Sequence, residues 1–153
     1  MRRSSSLVAY VAVAVALLCP SAASAGATDA EAEARAIASL NQIRAANGLP
    51  SLRVSSSLAG SASAYARYML RNDFFGHQAR IRVASQFRTA GETLAWHSGW
   101  SAGPRQTVRQ WMNSPPHRAV LMSSAFRQVG MGMVRGRLSQ QATTMWVAHF
   151  GRR

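Results

Sequence analysis

An α+β domain is the fold class this sequence predicts, and three observations carry that prediction. Apolar residues recur at helical spacing ahead of the final segment, most cleanly at Leu58, Ala62, Tyr65, Ala66 and Met69. Near the end of the chain the period drops to two. Val129, Met131 and Met133 alternate with glycines, and Thr144, Trp146, Ala148 and Phe150 alternate on the next run. Helices that come first and antiparallel strands that come last belong to an α+β architecture.

Residues 28–46 predict a first helix, with Ile37, Leu40 and Ile43 near helical spacing and Gly48 as its stop signal. Leu49-Pro50-Ser51-Leu52 reads as a short extended connection. The serines at 55–57 cap a second helix over about 57–72. Phe74-Phe75-Gly76-His77 ends it in an aromatic turn, and a short helix over 80–88 is expected to turn Ile81, Ala84 and Phe87 inward. Gly91 to Trp96 is compatible with either a loop or a strand. Pro104 stands where a helix begins, and Val108, Trp111 and Met112 give that helix a buried stripe. Pro115-Pro116 must end it, and His117–Met122 adds one more helical turn. The stretch 128–150 reads as an antiparallel hairpin turning at Arg135-Gly136-Arg137. Gly130 and Gly132 imply that another element packs closely on that strand's other face.

The chain's 153 residues leave room for one domain. Met1-Arg2-Arg3, the apolar run Leu7–Leu18 and the small residues Ala23-Ser24-Ala25 form a secretion signal over 1–25, cleaved after Ala25. Cys19 is a poor lipidation site, flanked as it is by Leu18 and Pro20. It is the only cysteine, so the secreted domain must be stable without a disulfide. An Ala-rich segment, 26–36, precedes the domain proper at 37–151. Composition excludes a polytopic membrane protein, and no transmembrane segment is expected in the mature chain. All 18 cationic residues are arginine against five acids, a formal charge of +13. Past Arg35 only Asp73 and Glu92 are acidic. Such a surface suits anionic envelope polymers, lipid headgroups or nucleic acid, or is simply a solvated basic face. No nucleic-acid fold signature appears, so no specific nucleic-acid partner is expected.

Two histidines stand at loop edges beside helix ends, His77 after the aromatic turn and His117 after the Pro-Pro break. Each alone reads as a structural residue. Together with the solitary Glu92 they suggest a site in which imidazoles hold zinc and the carboxylate orients a ligand or activates water. Their separation of forty residues is not a local metal signature. Ser114 and His117 offer a second arrangement, a nucleophile and base with Glu92 orienting the histidine. Trp111 and Trp146 belong to inward faces, whereas Trp96 and Trp100 either pack against a helix or line a lipid or glycan site.

Four stretches, in order, resemble the CAP superfamily of cysteine-rich secretory proteins, venom antigens and pathogenesis-related proteins, in its compact bacterial secreted form. They are Asn41 to Arg44 with Gly48-Leu49-Pro50 and Leu52, leading to Ala64–Met69 and Phe75-Gly76-His77; Gly91–Ala95; Trp111–Arg118, followed by Phe126 and Val129–Gly132; and Trp146 with Phe150-Gly151. The resemblance implies a three-layer α–β–α sandwich with a central antiparallel sheet. It also implies a cleft of two histidines and two acids that sometimes holds zinc or another divalent ion. Carried over, the cleft-lining residues are His77, Glu92 and His117, with Ser114 where the family's second acid stands. Thr93 replaces the asparagine that commonly follows the glutamate, and the missing acid should weaken any metal site. His97 and His149 match nothing in that cleft and read as surface or sheet residues.

Two functions follow as expectations. One is a non-catalytic extracellular binding module for a lipid, glycan or envelope polymer, acting through the His/Glu cleft or the basic face. The other is a zinc-dependent peptidase or esterase with zinc at His77 and His117 and Glu92 as general base. The excess positive charge and the lost acid favour the first.

Overall fold

The first helix, α1 (Asp29–Ala46), starts on a reciprocal capping box: Glu31 N–H donates to the Thr28 hydroxyl and Thr28 N–H to the Glu31 carboxylate. The computed structural model describes residues 28–101 and 103–153, so the expected leader over 1–25 lies outside the described residues. Ala32 and Ala36, within the Ala-rich segment, are buried in the core together with Ile37 and Leu40. The helix ends at Asn47, and Gly48 takes a φ of +71°, the left-handed conformation that glycine adopts without strain. Asn41 then clamps the extended connection: its side chain donates to Leu52 O and accepts from Leu52 N.

Arg44 on α1 is fully buried and faces no carboxylate. Its guanidinium donates to Pro50 O, Leu121 O and Ser123 O, while Nη2 has no partner among the described residues. Burial, and secondarily the charge of Arg127, pushes its pKa down. Three backbone carbonyls read by one planar fork cannot be matched by an ammonium group. Arg44→Lys is therefore expected to lower stability by about 1–2 kcal/mol. An unchanged urea midpoint would contradict this role for Arg44.

The second helix, α2 (Ser56–Arg71), is capped by Ser55 and buries Leu58, Ala62, Ala66 and Met69, the stripe predicted for it. Ahead of it Arg53–Val54 form a two-residue strand, β1. After the aromatic turn the chain does not form the helix expected over 80–88; those residues are irregular as far as Arg88. Ile81 and Ala84 are only half-buried, so the expected inward stripe is not formed. Here the Gln78 side chain accepts from Arg82 N, and Phe87 alone turns fully inward. The ambiguous stretch around Glu92 is a strand, β2 (Thr89–Ser98).

Pro104 opens α3 (Pro104–Asn113), and the Pro-Pro pair ends it and begins α4 (Pro115–Leu121). The hairpin strands are β3 (Gln128–Leu138) and β4 (Gln141–Arg152). Their turn lies at Ser139-Gln140, not at Arg135-Gly136-Arg137 as expected. Both turn residues have positive φ, 49° and 66°, the geometry of a tight two-residue hairpin turn. The Asp73 side chain steadies it by accepting from Ser139 N. Gly136 stays in the strand because it faces Leu70 of α2 closely, not because it bends the chain.

The sheet order is β1-β3-β4-β2, antiparallel throughout except for β1, which pairs parallel with β3. On one face α1, α3 with its Trp111, and α4 lie over Trp146, Phe150 and the β3 methionines; on the other α2 covers Leu94, Met145 and Val147. This is the expected three-layer α–β–α sandwich. The alternation in β4 is masked because both faces are covered, so Thr143 to Gly151 are all buried. No helix among the described residues is long and apolar enough to cross a membrane.

Candidate functional site

Edge strand β2 brings Glu92 to the α2 face of the sheet. Gly91 faces the opposite layer, where a Cβ would come within 2.6 Å of the Phe126 ring. The Gly-Glu pair thus serves both sides of one strand: no side chain where Phe126 packs, and a carboxylate where the site forms.

That carboxylate is almost sealed, with its side chain 2% exposed. Oε1 accepts from His77 Nδ1 at 2.9 Å and from Gln78 N at 3.2 Å. Oε2 accepts from Gln78 Nε2 at 2.9 Å and from His149 Nε2 at 3.0 Å. Two bonds on each oxygen fill the acceptor capacity of a carboxylate. Burial by itself pushes the Glu92 pKa up, but the hydrogen bonds from His149, Gln78 and His77 outweigh it and hold the group below the usual carboxylate range.

His77 follows α2 and its aromatic turn, which Tyr65 fixes by donating from its hydroxyl to Gly76 O at 2.5 Å. With Nδ1 engaged on Glu92, its half-exposed ring keeps Nε2 without a hydrogen bond among the described residues. His117 comes from the third position of α4, in the layer on the other face of the sheet. Its Nδ1 lies 2.9 Å from Ser114 Oγ, at the junction of α3 and α4. Its ring centroid stands 6.1 Å from that of His77. Burial, and then the nearby His77, push the His117 pKa down, which favours the neutral imidazole.

Sequence reasoning named His77, Glu92, Ser114 and His117, and the structure brings them to one place. Its nucleophile alternative had Glu92 orienting His117; in the structure Glu92 orients His77 instead. Two members were missed. His149, read as an unrelated sheet residue, is fully buried directly across β2–β4 from Glu92. Its Nδ1 lies 2.8 Å from Ser61 Oγ on α2, which ties the site to that helix. The register that pairs them would have revealed it, had the stretch around Glu92 been assigned as a strand. Gln78 was missed because an amide beside a histidine carries no motif signal. His97 sits on the other face of β2, 2.8 Å from Thr107 Oγ1, and plays no part. Trp96 and Trp100 are exposed, 39% and 50%.

The donor set for a divalent metal consists of the two Nε2 atoms. Tetrahedral zinc takes four ligands. Among the described residues no group of three or more His, Cys, Asp or Glu side chains is placed to hold one. Glu92 has no lone pair to spare, and Ser114 stands where an acid would add charge. The residues fit half of a zinc shell, with Glu92 in the role of the carboxylate that orients a metal-bound histidine.

Comparison with known proteins gives the same frame. Residues 37–150 match the model of the cysteine-rich secretory protein family, CAP. The chain is 28% identical over 119 residues to the uncharacterized protein YkwD of Bacillus subtilis, covering 72% of this chain and 43% of that one. It therefore spans less than half the length of that relative. Among solved structures, an outer surface protein of Borrelia burgdorferi superposes with a TM-score of 0.67 at 21% identity, over 83% of this chain and 96% of the other. An extracellular SCP-domain protein of Bacillus anthracis superposes with a TM-score of 0.65 at 21% identity, over 82% and 41%. The family match spans most of the fold and every residue of the His/Glu site: this chain belongs to the cysteine-rich secretory protein (CAP) family.

Proposed function

We propose that this chain is an exported, non-catalytic binding module that holds a lipid, glycan or anionic envelope polymer at the His77/His117 cleft and its basic surroundings. One observation carries the reading. Glu92 is the only carboxylate in the cleft among the described residues, and its four accepted hydrogen bonds leave it neither a free lone pair nor the raised pKa that a general base near neutral pH needs. It acts as a positioning residue that fixes His77 with one edge open to the cleft. Export rests on the leader at 1–25, and it accords with the extracellular and outer-surface names of the structural relatives.

The zinc-hydrolase reading is favoured by the 6.1 Å approach of the two imidazoles. A zinc held by His77 and His117 would supply an activated water, but Glu92, with both oxygens filled, is not free to take its proton. Calorimetric zinc titration, run beside turnover of p-nitrophenyl acetate and of a casein digest, separates the two. Turnover at the buffer rate, with and without zinc, is expected. Saturable one-site zinc binding with zinc-dependent turnover, both lost in His77→Ala/His117→Ala, would overturn the binding-module reading.

A further inference from the structure

We propose that the cleft along α2, next to His77, is a subsite for an acidic sugar unit of a glycan. This inference deepens the binding-module reading and rests on it. The cleft holds about 780 Å³, the size of a small-ligand site. Three arginines line it, Arg71 from the end of α2 and Arg80 and Arg82 from the irregular segment, and no acidic residue does. None of the three has an ion-pair partner among the described residues. Guanidinium groups present flat, two-pronged donors that match a carboxylate or a phosphate. A ligand that answers this wall carries negative charge.

The rest of the lining separates a sugar from a lipid. The wall is aromatic: Tyr65 and Tyr68 stack with ring centroids 6.1 Å apart and 19° between planes, and Phe74 meets Tyr68 edge-on at 5.6 Å. No leucine, isoleucine, valine or methionine lines the cleft, so nothing offers the aliphatic channel an acyl chain would fill. The side chains of Ser61 and Gln78 are engaged within the protein, which leaves the Nε2 edge of His77 as the open polar group beside the rings and arginines. Flat faces, an open imidazole edge and fixed positive charge suit a ring that is polar along its edge and carries an anionic group. The bond of Tyr65 to Gly76 O orients its ring before a ligand arrives.

The test is calorimetric titration of the purified protein with tetragalacturonate, with cellotetraose as the neutral sugar and sodium phosphate as the bare anion. Phosphatidylglycerol vesicles supply the lipid arm. Saturable one-site binding of tetragalacturonate, with no binding of cellotetraose, is expected. Arg80→Ala/Arg82→Ala and Tyr68→Ala, all at exposed positions, should each weaken it about tenfold or more. Arg105→Ala/Arg109→Ala, on a separate basic groove beside α1, should leave it unchanged. Equal losses in both arginine pairs would mean general charge attraction and overturn the inference. So would phosphate binding as tightly as the oligosaccharide, vesicle binding in its place, or no binding of tetragalacturonate. Products released from tetragalacturonate would overturn the non-catalytic reading while supporting the subsite, so the two failures are distinguishable.

Discussion

Gly130→Ala is expected to destabilise the fold by about 3 kcal/mol or more, a loss of roughly 12 °C in Tm for a domain of this size. A Cβ at Gly130 would lie 1.9 Å from Ala59 N, 2.3 Å from Leu58 C and 2.6 Å from Ala59 Cα. All three are backbone atoms, so no change of rotamer relieves the clash, and α2 must lift from β3. Gly132 meets the same helix at Ser63, with 2.4 Å to its backbone nitrogen. Lifting α2 would loosen the layer around Ala62, Ala66 and Met69. It would also stretch the 2.8 Å contact of Ser61 with His149, so the cleft should suffer with the core. Gly60→Ala makes the control. It lies on the same helix with nothing within 4 Å of an added Cβ, and should stabilise by about 0.5–1 kcal/mol. Thermal melts of the two variants should move in opposite directions. Equal, small shifts would mean that α2 does not depend on the glycine stripe.

That stripe is legible in the sequence itself, because glycines alternating with methionines in a strand leave one face without side chains for another element to approach. The helices are legible for a similar local reason: their caps and breakers sit in sequence beside them, as Ser55, Pro104 and the Pro-Pro pair do. What failed depended on distant partners. Ile81, Ala84 and Phe87 have helical spacing, yet Gln78 ties that backbone to the cleft. Gly136 draws the expected hairpin turn by being a glycine, whereas Asp73, sixty-six residues from Ser139, holds the real one. The site divides along the same line. His77, Glu92 and His117 are found through motifs, while His149 and Gln78 become visible only when strand register and side-chain bonds are known.

Glu92→Gln discriminates between a catalytic and a positioning role, because the two predict opposite outcomes. A general base exposed to its substrate could be replaced by the isosteric amide with little effect on the fold and loss of turnover. A buried carboxylate that accepts four donors could not. The amide turns one oxygen into a donor aimed at groups that themselves donate, and leaves part of the set facing it unpaired. The expected cost is about 3–5 kcal/mol at neutral pH, in the range for breaking a buried charged network. Acid should reveal the same linkage in the native chain. The folded-state pKa of Glu92 lies below its unfolded value. Its contribution is therefore complete above the unfolded value, near pH 4.3, and is lost as pH falls through the folded one. The gap in urea midpoint between the native protein and Glu92→Gln should be wide at pH 7 and narrow as pH falls below the unfolded value. A variant as stable as the native protein at pH 7 would release Glu92 from its structural role and make it a candidate base again. A large gap at pH 7 that closes in acid would place the carboxylate in the frame of the cleft, where its work is to hold His77 and His149 in position.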